Sequence, residues 1–326
     1  MPRIGSLCTG YGGLDMAVTD MFGGELAWAS DIDPAACQII AHRMPGVANI
    51  GDLTAANWAA VEPVDVVTGG YPCQPFSIAG KRKGTADERH LWPYIARALG
   101  VLRPRVAFFE NVANHLRIGF DTVLADLAAL GFDAEWCVVR ADEVRAPHRR
   151  ERLFVYATRR GAGASAAYPL RERPRRREGP GDLEGAAGAD AGGAWLRDRH
   201  PAAAGAGHSA ADANGHGREV VERSEPGMGP RRDAGGRSPQ RWGRFSPAVA
   251  RWEAITGRRA PGATDHRGRL SPAFVEWMMG LPAGWVTDVP GLSRAAMLRV
   301  LGAGAVPAQG AAACRILHAR AVEAGS

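Results

Sequence analysis

Cysteine is scarce in this chain of 326 residues: there are five, far apart, without a CxxC pair. That spacing excludes a disulfide framework and a cysteine-based zinc site, and it fits reduced thiols in a cytoplasmic protein. Lysine is scarcer still, Lys81 and Lys83 being the only two among 40 basic residues, a bias that a GC-rich coding sequence accounts for. No window reads as the apolar run of about 20 residues that a membrane span needs. Met1-Pro2-Arg3 passes directly into the strand-like Ile4-Gly5-Ser6-Leu7-Cys8, so neither export nor membrane insertion is expected. No internal repeat is evident beyond two Ser-Pro helix starts.

The charge is unevenly spread. The net charge is +6, yet residues 159–268 hold 20 Arg against 13 Asp plus Glu, which leaves the rest of the chain close to neutral. A concentrated basic segment suits a polyanionic partner, although a solvated arginine-rich insert is the plainer alternative. From Arg159 to about Gly243 the sequence dissolves into Gly, Ala, Arg, Pro and Asp without hydrophobic periodicity.

Up to about residue 158 short apolar runs alternate with amphipathic stretches, the pattern of a doubly wound α/β domain with a mostly parallel sheet. Strands are expected near 4–8, 26–30, 64–69, 105–109, 134–140 and 152–157, and helices near 14–22, 34–43, 89–102 and 120–130. Ser246-Pro247 and Ser271-Pro272 are expected to cap and open further helices. A last helix is expected from about Gln309 to Val322. The domain scheme is 1–158, then a smaller variable region over 159–268, then 269–326 packing back on the first.

The first strand runs into Thr9-Gly10-Tyr11-Gly12-Gly13-Leu14-Asp15 and a helix. This is the strand, glycine loop and helix layout of a nucleotide-type site, without the third glycine of a dinucleotide fingerprint. Asp31 closes the second strand, where a carboxylate can accept both ribose hydroxyls, and Asp52 follows Gly51 in a third strand-end turn. Together they suggest an adenosine-containing cofactor. Asp52 could instead cap a helix after Leu53.

The most specific stretch is Gly69 to Ser77, GGYPCQPFS. It places Cys73 between Pro72 and Pro75 at the end of a strand predicted to be buried, where α/β sheets bind ligands. Each proline fixes φ near −65° and restricts its predecessor. Cys73 therefore looks like an aimed nucleophile, a packed thiol being the alternative.

Taken in order, CTGYGGLD at 8–15, Asp31, GDL at 51–53, GGYPCQPFS at 69–77, Glu110-Asn111-Val112 and HRRERLFV at 148–155 resemble the DNA cytosine-5 methyltransferase family. The resemblance covers residues 1–158 and roughly 268–318. It implies a Rossmann-like S-adenosylmethionine-dependent domain with a smaller target-recognition domain, double-stranded DNA as partner, no metal, a monomer, and a role beside a restriction endonuclease or alone. Cofactor contacts then fall to Thr9, Gly10, Tyr11, Gly12, Gly13, Leu14, Asp31, Ile32, Asp52, Leu53, Pro72, Leu91 and Ala303. Cys73 is the nucleophile toward carbon 6 of a flipped-out cytosine. Glu110 holds ring nitrogen 3, Arg152 steadies the base carbonyl, and Arg150 helps. Gln74, Ser77, Lys81, Arg82 and Lys83 are placed to touch DNA. A catalytically silent DNA-binding homologue and a tRNA cytosine-5 methyltransferase are the competing readings.

The chain departs from the family pattern at Ala303, which stands where asparagine is usual, at Ile32, which stands where many members place an aromatic on the adenine, and at Cys8, which stands where many place phenylalanine. Cofactor affinity is accordingly expected to be modest. Calorimetric titration with S-adenosylmethionine checks this, and a dissociation constant in the low micromolar range would contradict it.

Overall fold

The computed structural model describes residues 1–72, 91–161 and 242–324. Among them the apolar runs form β1 (Arg3–Leu7), β2 (Glu25–Ser30), β3 (Ala48–Asn49), β4 (Val66–Gly70), β5 (Val106–Val112), β6 (Phe132–Arg140) and β7 (Glu151–Arg159). They make one sheet in the order β3-β2-β1-β4-β5-β7-β6. The first five pair in parallel, while β7 inserts antiparallel between β5 and β6. The chain steps outward through β2 and β3, then returns to lay β4 on the other side of β1. This reversal opens a crevice at the carboxyl ends of β1 and β4, the place where such sheets bind ligands.

Side-chain alternation along the strands builds two layers. Val66, Val106, Phe108, Phe154 and Tyr156 face α1 (Gly13–Phe22) and α8 (Pro307–Ala324). Val67, Ala107, Phe109, Leu153, Val155 and Ala157 face α3 (Trp92–Leu102) and α4 (Phe120–Ala129). Both faces are covered, which is why the central strands read as continuous apolar runs rather than alternating ones.

α2 (Pro34–Arg43) starts where Asp33 accepts from Ala35 N and Ala36 N at 2.9 and 3.2 Å. Met279, Leu281, Val286 and Leu301 pack with Tyr11 and Ile39 into a third cluster. The turn after α6 (Pro272–Met278) is organised by the buried Glu276 carboxylate, which accepts from Gly284 N, Val286 N and Thr287 N.

The expected strands and helices match within a few residues, and the start of the 89–102 helix at residues 89–90 lies outside the described residues. Three features differ. β3 is only two residues long, too short to carry a periodic signal. α7 (Arg294–Ala303) was not expected, and it begins with Ser293 capping Ala296 N at 3.2 Å. Ser246 opens α5 (Ser246–Thr256) as its first helical residue rather than its cap, whereas Ser271 does cap α6.

The expectation that no window reaches membrane-span length and apolarity is corrected. Arg294–Ala324 passes that test by length and composition. The structure breaks it at Gly304 into α7 and α8 and buries more than half of its most apolar window inside the protein, with α8 against α1, β6 and β7. Small residues in α8 permit that approach: a Cβ on Gly310 would lie 3.0 Å from the Ala17 side chain.

Leu317 is fully buried in the α1–α8 layer. Leu317→Ala is expected to cost about 2–5 kcal/mol of unfolding free energy through lost burial and the cavity left behind, measured by denaturant titration.

Candidate active site

The glycine loop that follows β1 alternates its backbone sign. Cys8, Gly10 and Gly12 have φ of 52°, 59° and 82°. Glycine adopts these values freely, but Cys8 holds a left-handed conformation at a cost of about 1 kcal/mol or more. Gly12 N donates to Thr9 O at 2.9 Å, closing the turn that opens α1. Below the loop lies a buried polar cluster in which Ser6 Oγ donates to Asp15 Oδ2 at 2.9 Å and the Thr68 hydroxyl donates to Asp15 Oδ1. Thr9 Oγ1 joins it at 3.0 Å from Ser6 Oγ. Burial raises the Asp15 pKa, and the hydroxyls oppose that shift.

Asp31 sits at the end of β2, beside this loop. Its Oδ2 accepts from Gly10 N at 2.8 Å and its Oδ1 from Asp33 N at 2.9 Å. Burial raises its pKa. A carboxylate has about four acceptor positions, so capacity remains for hydroxyl donors. Ile32 next to it is 70 % exposed, an apolar side chain offered to solvent. A Cβ at Gly10 or Gly51 would meet nothing within 4 Å, so both loops border open space. Asp52 is exposed, with Oδ1 accepting from Thr54 N at 2.8 Å, so it makes the local cap while leaving its other oxygen available. These residues fit an adenosine moiety with a ribose on Asp31.

Several residues named from the sequence do other work. Tyr11, Leu14 and Leu53 turn their side chains into the core, so only their backbone is available to a ligand. Tyr11 donates to Ala305 O at 2.7 Å, and Trp285 Nε1 donates to Tyr11 O at 2.8 Å. Gly13 is needed for packing, because a Cβ there would lie 2.2 Å from Ala305 O. Leu91 is half-buried before α3, Pro72 is exposed, and Ala303 is exposed with its carbonyl engaged by Arg150.

On the far side of β4, the buried Glu110 lies near the end of β5, level with Gly70 in β4 and Phe154 in β7. Arg152 lies two residues along β7, opposite Val112, and so projects on the same face. Its Nε is 2.6 Å from Glu110 Oε1. Burial raises the Glu110 pKa, while Arg152 and Arg150 draw it back. Arg152 also donates to Glu151 O at 2.8 Å.

Arg150, named as a catalytic helper, places its charge near Glu110 and also holds backbone. Its guanidinium donates to the carbonyls of Gly302, Ala303 and Gly304 at 2.8, 3.3 and 2.8 Å. Arg150 thus straps the α7–α8 junction to β7, and Gln309 Nε2 adds bonds to Val139 O and Arg150 O at 2.6 and 2.8 Å. His148, at the start of the same motif, has both ring nitrogens buried without a hydrogen-bond partner among the described residues. Burial, followed by the Arg150 charge, lowers its pKa to about 4 and keeps it neutral.

Cys73, Gln74, Ser77, Lys81, Arg82 and Lys83 lie outside the described residues. The described cysteines, Cys8, Cys37, Cys137 and Cys314, are free. Burial pushes the Cys8 thiol up to about 12 with Asp31 adding to the shift, which leaves it protonated and a poor nucleophile. The sequence reading missed Asp15, Tyr71 and His115. The only signal for them was their position inside or beside quoted motifs.

Removing one member of a buried ion pair leaves the other uncompensated, so Arg152→Met is expected to destabilise the fold by about 3 kcal/mol near neutral pH. The Glu110 pKa, already raised in the folded state, rises further in this variant. Folded-state stability from a raised carboxyl pKa is present at low pH and lost as pH rises through it, so the deficit should be smaller at about pH 5 than at about pH 8. Denaturant titrations at both pH values check it.

The model of the C-5 cytosine-specific DNA methylase family matches residues 2–181, more than half of the chain. Type II methyltransferase M.NgoBV of Neisseria gonorrhoeae is 32 % identical over 143 residues, 40 % of this chain and 34 % of that protein. M.NgoFVII of the same organism is 29 % identical over 175 residues, 52 % of this chain and 46 % of that protein. The match spans less than half the length of each of these curated relatives. The S. pombe Dnmt2 methyltransferase superimposes with a TM-score of 0.57 at 15 % identity, covering 98 % of this chain and 99 % of that one. A Spodoptera frugiperda DNMT2 variant gives 0.54 at 16 %, covering 97 % and 99 %. Those two likenesses show the fold alone. With the family match extending over the glycine loop, Asp31, Glu110 and Arg152, the chain belongs to the C-5 cytosine-specific DNA methylase family.

Proposed function

We propose that this protein methylates carbon 5 of a flipped-out cytosine in a specific duplex DNA sequence, using S-adenosylmethionine. The observation that carries the reading is the buried Glu110–Arg152 pair at the strand end beside β4, the strand that leads into Pro72 and Cys73. Carbon 5 of cytosine is a weak nucleophile until a thiolate adds to carbon 6. Cys73 supplies that thiolate, its electron pair forming the sulfur–carbon bond while the ring's electrons shift toward nitrogen 3 and the carbonyl. Glu110, its pKa raised by burial, presents a proton at nitrogen 3. Arg152 keeps Glu110 oriented and places positive charge where the base carbonyl gains negative charge.

S-adenosylmethionine, when bound, supplies the electrophilic methyl group. On the protein side, Asp31 is fixed by Gly10 N and Asp33 N to accept ribose hydroxyls, Ile32 offers an apolar surface to the adenine, and Asp52 offers a carboxylate oxygen to its edge. As carbon 5 takes the methyl group the nitrogen 3 proton returns to Glu110; water then takes the carbon 5 proton, whose electron pair restores the double bond as the sulfur–carbon bond breaks and Cys73 leaves as thiolate. The basic region at 159–268 serves target recognition in this reading, and residues 162–241 of it lie outside the described residues. Pairing with a restriction endonuclease is part of the proposal, supported by the Type II names of the relatives.

The test is expression in cells lacking cytosine methylation, with Cys73→Ser as control, and bisulfite sequencing of the plasmid. Protected cytosines confined to one short context and absent from the control are expected. Full conversion despite folded protein overturns the DNA reading, and methylation found on tRNA in the same cells would move the substrate to RNA.

A further inference from the structure

We infer that Tyr71 and His115 form a positioning pair that sets the attack geometry of the nucleophile two residues beyond Tyr71; the inference rests on the cytosine-methyltransferase reading above. Tyr71 follows β4 and is 4 % exposed. Its ring lies among Trp92, Phe109 and His115, at centroid distances of 5.6, 6.1 and 5.7 Å. The Tyr71 hydroxyl is 2.9 Å from His115 Nε2, and His115 Nδ1 is 2.9 Å from Ile118 O. A carbonyl oxygen can only accept, so in the neutral imidazole Nδ1 carries the proton and Nε2 holds the lone pair. The Tyr71 O–H therefore donates to His115.

The backbone of the same residue is held as well, Asn111 Nδ2 donating to Tyr71 O at 3.4 Å. Asn111 lies in β5 and His115 in the 3-10 turn Ala113–Arg117 that follows it, one short segment that also carries Glu110. The segment that presents the acid to the base thus grips the residue just before Pro72-Cys73 at both its carbonyl and its hydroxyl. Pro72 has a fixed φ and restricts the residue before it, so the grip on Tyr71 is carried along the backbone to Pro72.

Filling the space alone would not need the hydroxyl. A buried hydroxyl costs free energy unless partnered, and phenylalanine would make the same ring contacts without that cost. The Tyr71 hydroxyl, matched to a buried ring nitrogen whose partner nitrogen is held by Ile118 O, acts on orientation rather than volume. Displacing reacting atoms by about 1 Å can cost on the order of a hundredfold in rate.

The test uses the full chain as wild type, Tyr71→Phe, His115→Gln and His115→Leu. Four quantities are measured: thermal unfolding, KM for S-adenosylmethionine and DNA, kcat, and the rate of covalent adduct formation. The adduct substrate is a duplex bearing 5-fluorocytosine in the sequence context found by bisulfite mapping. Tyr71→Phe is expected to keep both KM values within about twofold and to lower kcat and the adduct rate at least about fivefold. Glutamine at 115 can still accept from Tyr71, so it should stay nearer wild type than leucine. If Tyr71→Phe does not fold, the glutamine-against-leucine contrast reads the same effect. A wild-type adduct with Tyr71→Phe rates within about twofold, or a change confined to KM, overturns the pairing. Absence of any adduct in wild type overturns instead the methyltransferase reading on which the pairing rests.

Discussion

The close approach of the glycine loop to the α7–α8 junction is the constraint on which the rest of the site depends. A Cβ on Gly13 would lie 2.2 Å from Ala305 O, and one on Gly304 would lie 2.1 Å from the Tyr11 ring. Neither position tolerates a larger residue without moving backbone or a buried ring. The Tyr11 hydroxyl on Ala305 O closes the contact between segments 294 residues apart. Arg43 reinforces it from α2, donating to the carbonyls of Gly284 and Trp285 while lying 5.6 Å over the Trp285 ring, and Trp285 in turn bonds Tyr11 O. Arg299 of α7 pairs with Asp33, the cap of α2. The loop beside Asp31 is thus walled by a segment from the far end of the sequence.

Arg150 connects this wall to the chemistry. One β7 segment carries Arg152 toward Glu110, and the residue two positions before it holds the three carbonyls at the α7–α8 junction. Arg150 lies just before β7 and Arg152 within it, so HRRER delivers two guanidiniums to neighbouring tasks. The antiparallel insertion of β7 beside β5 makes this possible, because it sets Arg152 opposite Val112 and diagonal to Glu110. A parallel neighbour ending at the same edge would have carried its polar residues past the sheet rather than back along it. Ala303, where a side-chain amide is usual in the family, leaves the junction to be held through its backbone.

Much of this was legible in the sequence. Strand positions followed from β-branched and aromatic runs, because strands buried on both faces have little freedom in composition. Glu110 and Asp31 could be placed at strand ends because polar residues that stop an apolar run mark where the strand leaves the core. β3 and α7 were not legible. Two residues give no period, and α7 merges with α8 into one apolar stretch that only the break at Gly304 divides. The burial of the Tyr11 side chain in the core was not legible either, since a loop's sequence does not say which way its side chains point.

By itself, the sequence determined the fold class, the order of the motifs and the chemical types at the site, all of which depend on local patterns of burial and spacing. Only the tertiary structure decided which of two nearby arginines meets Glu110, and where Tyr71 is anchored. Those outcomes depend on strand register and on contacts across the sheet. A shift of one residue in the β5–β7 register would turn Arg152 to the opposite face while leaving every motif unchanged.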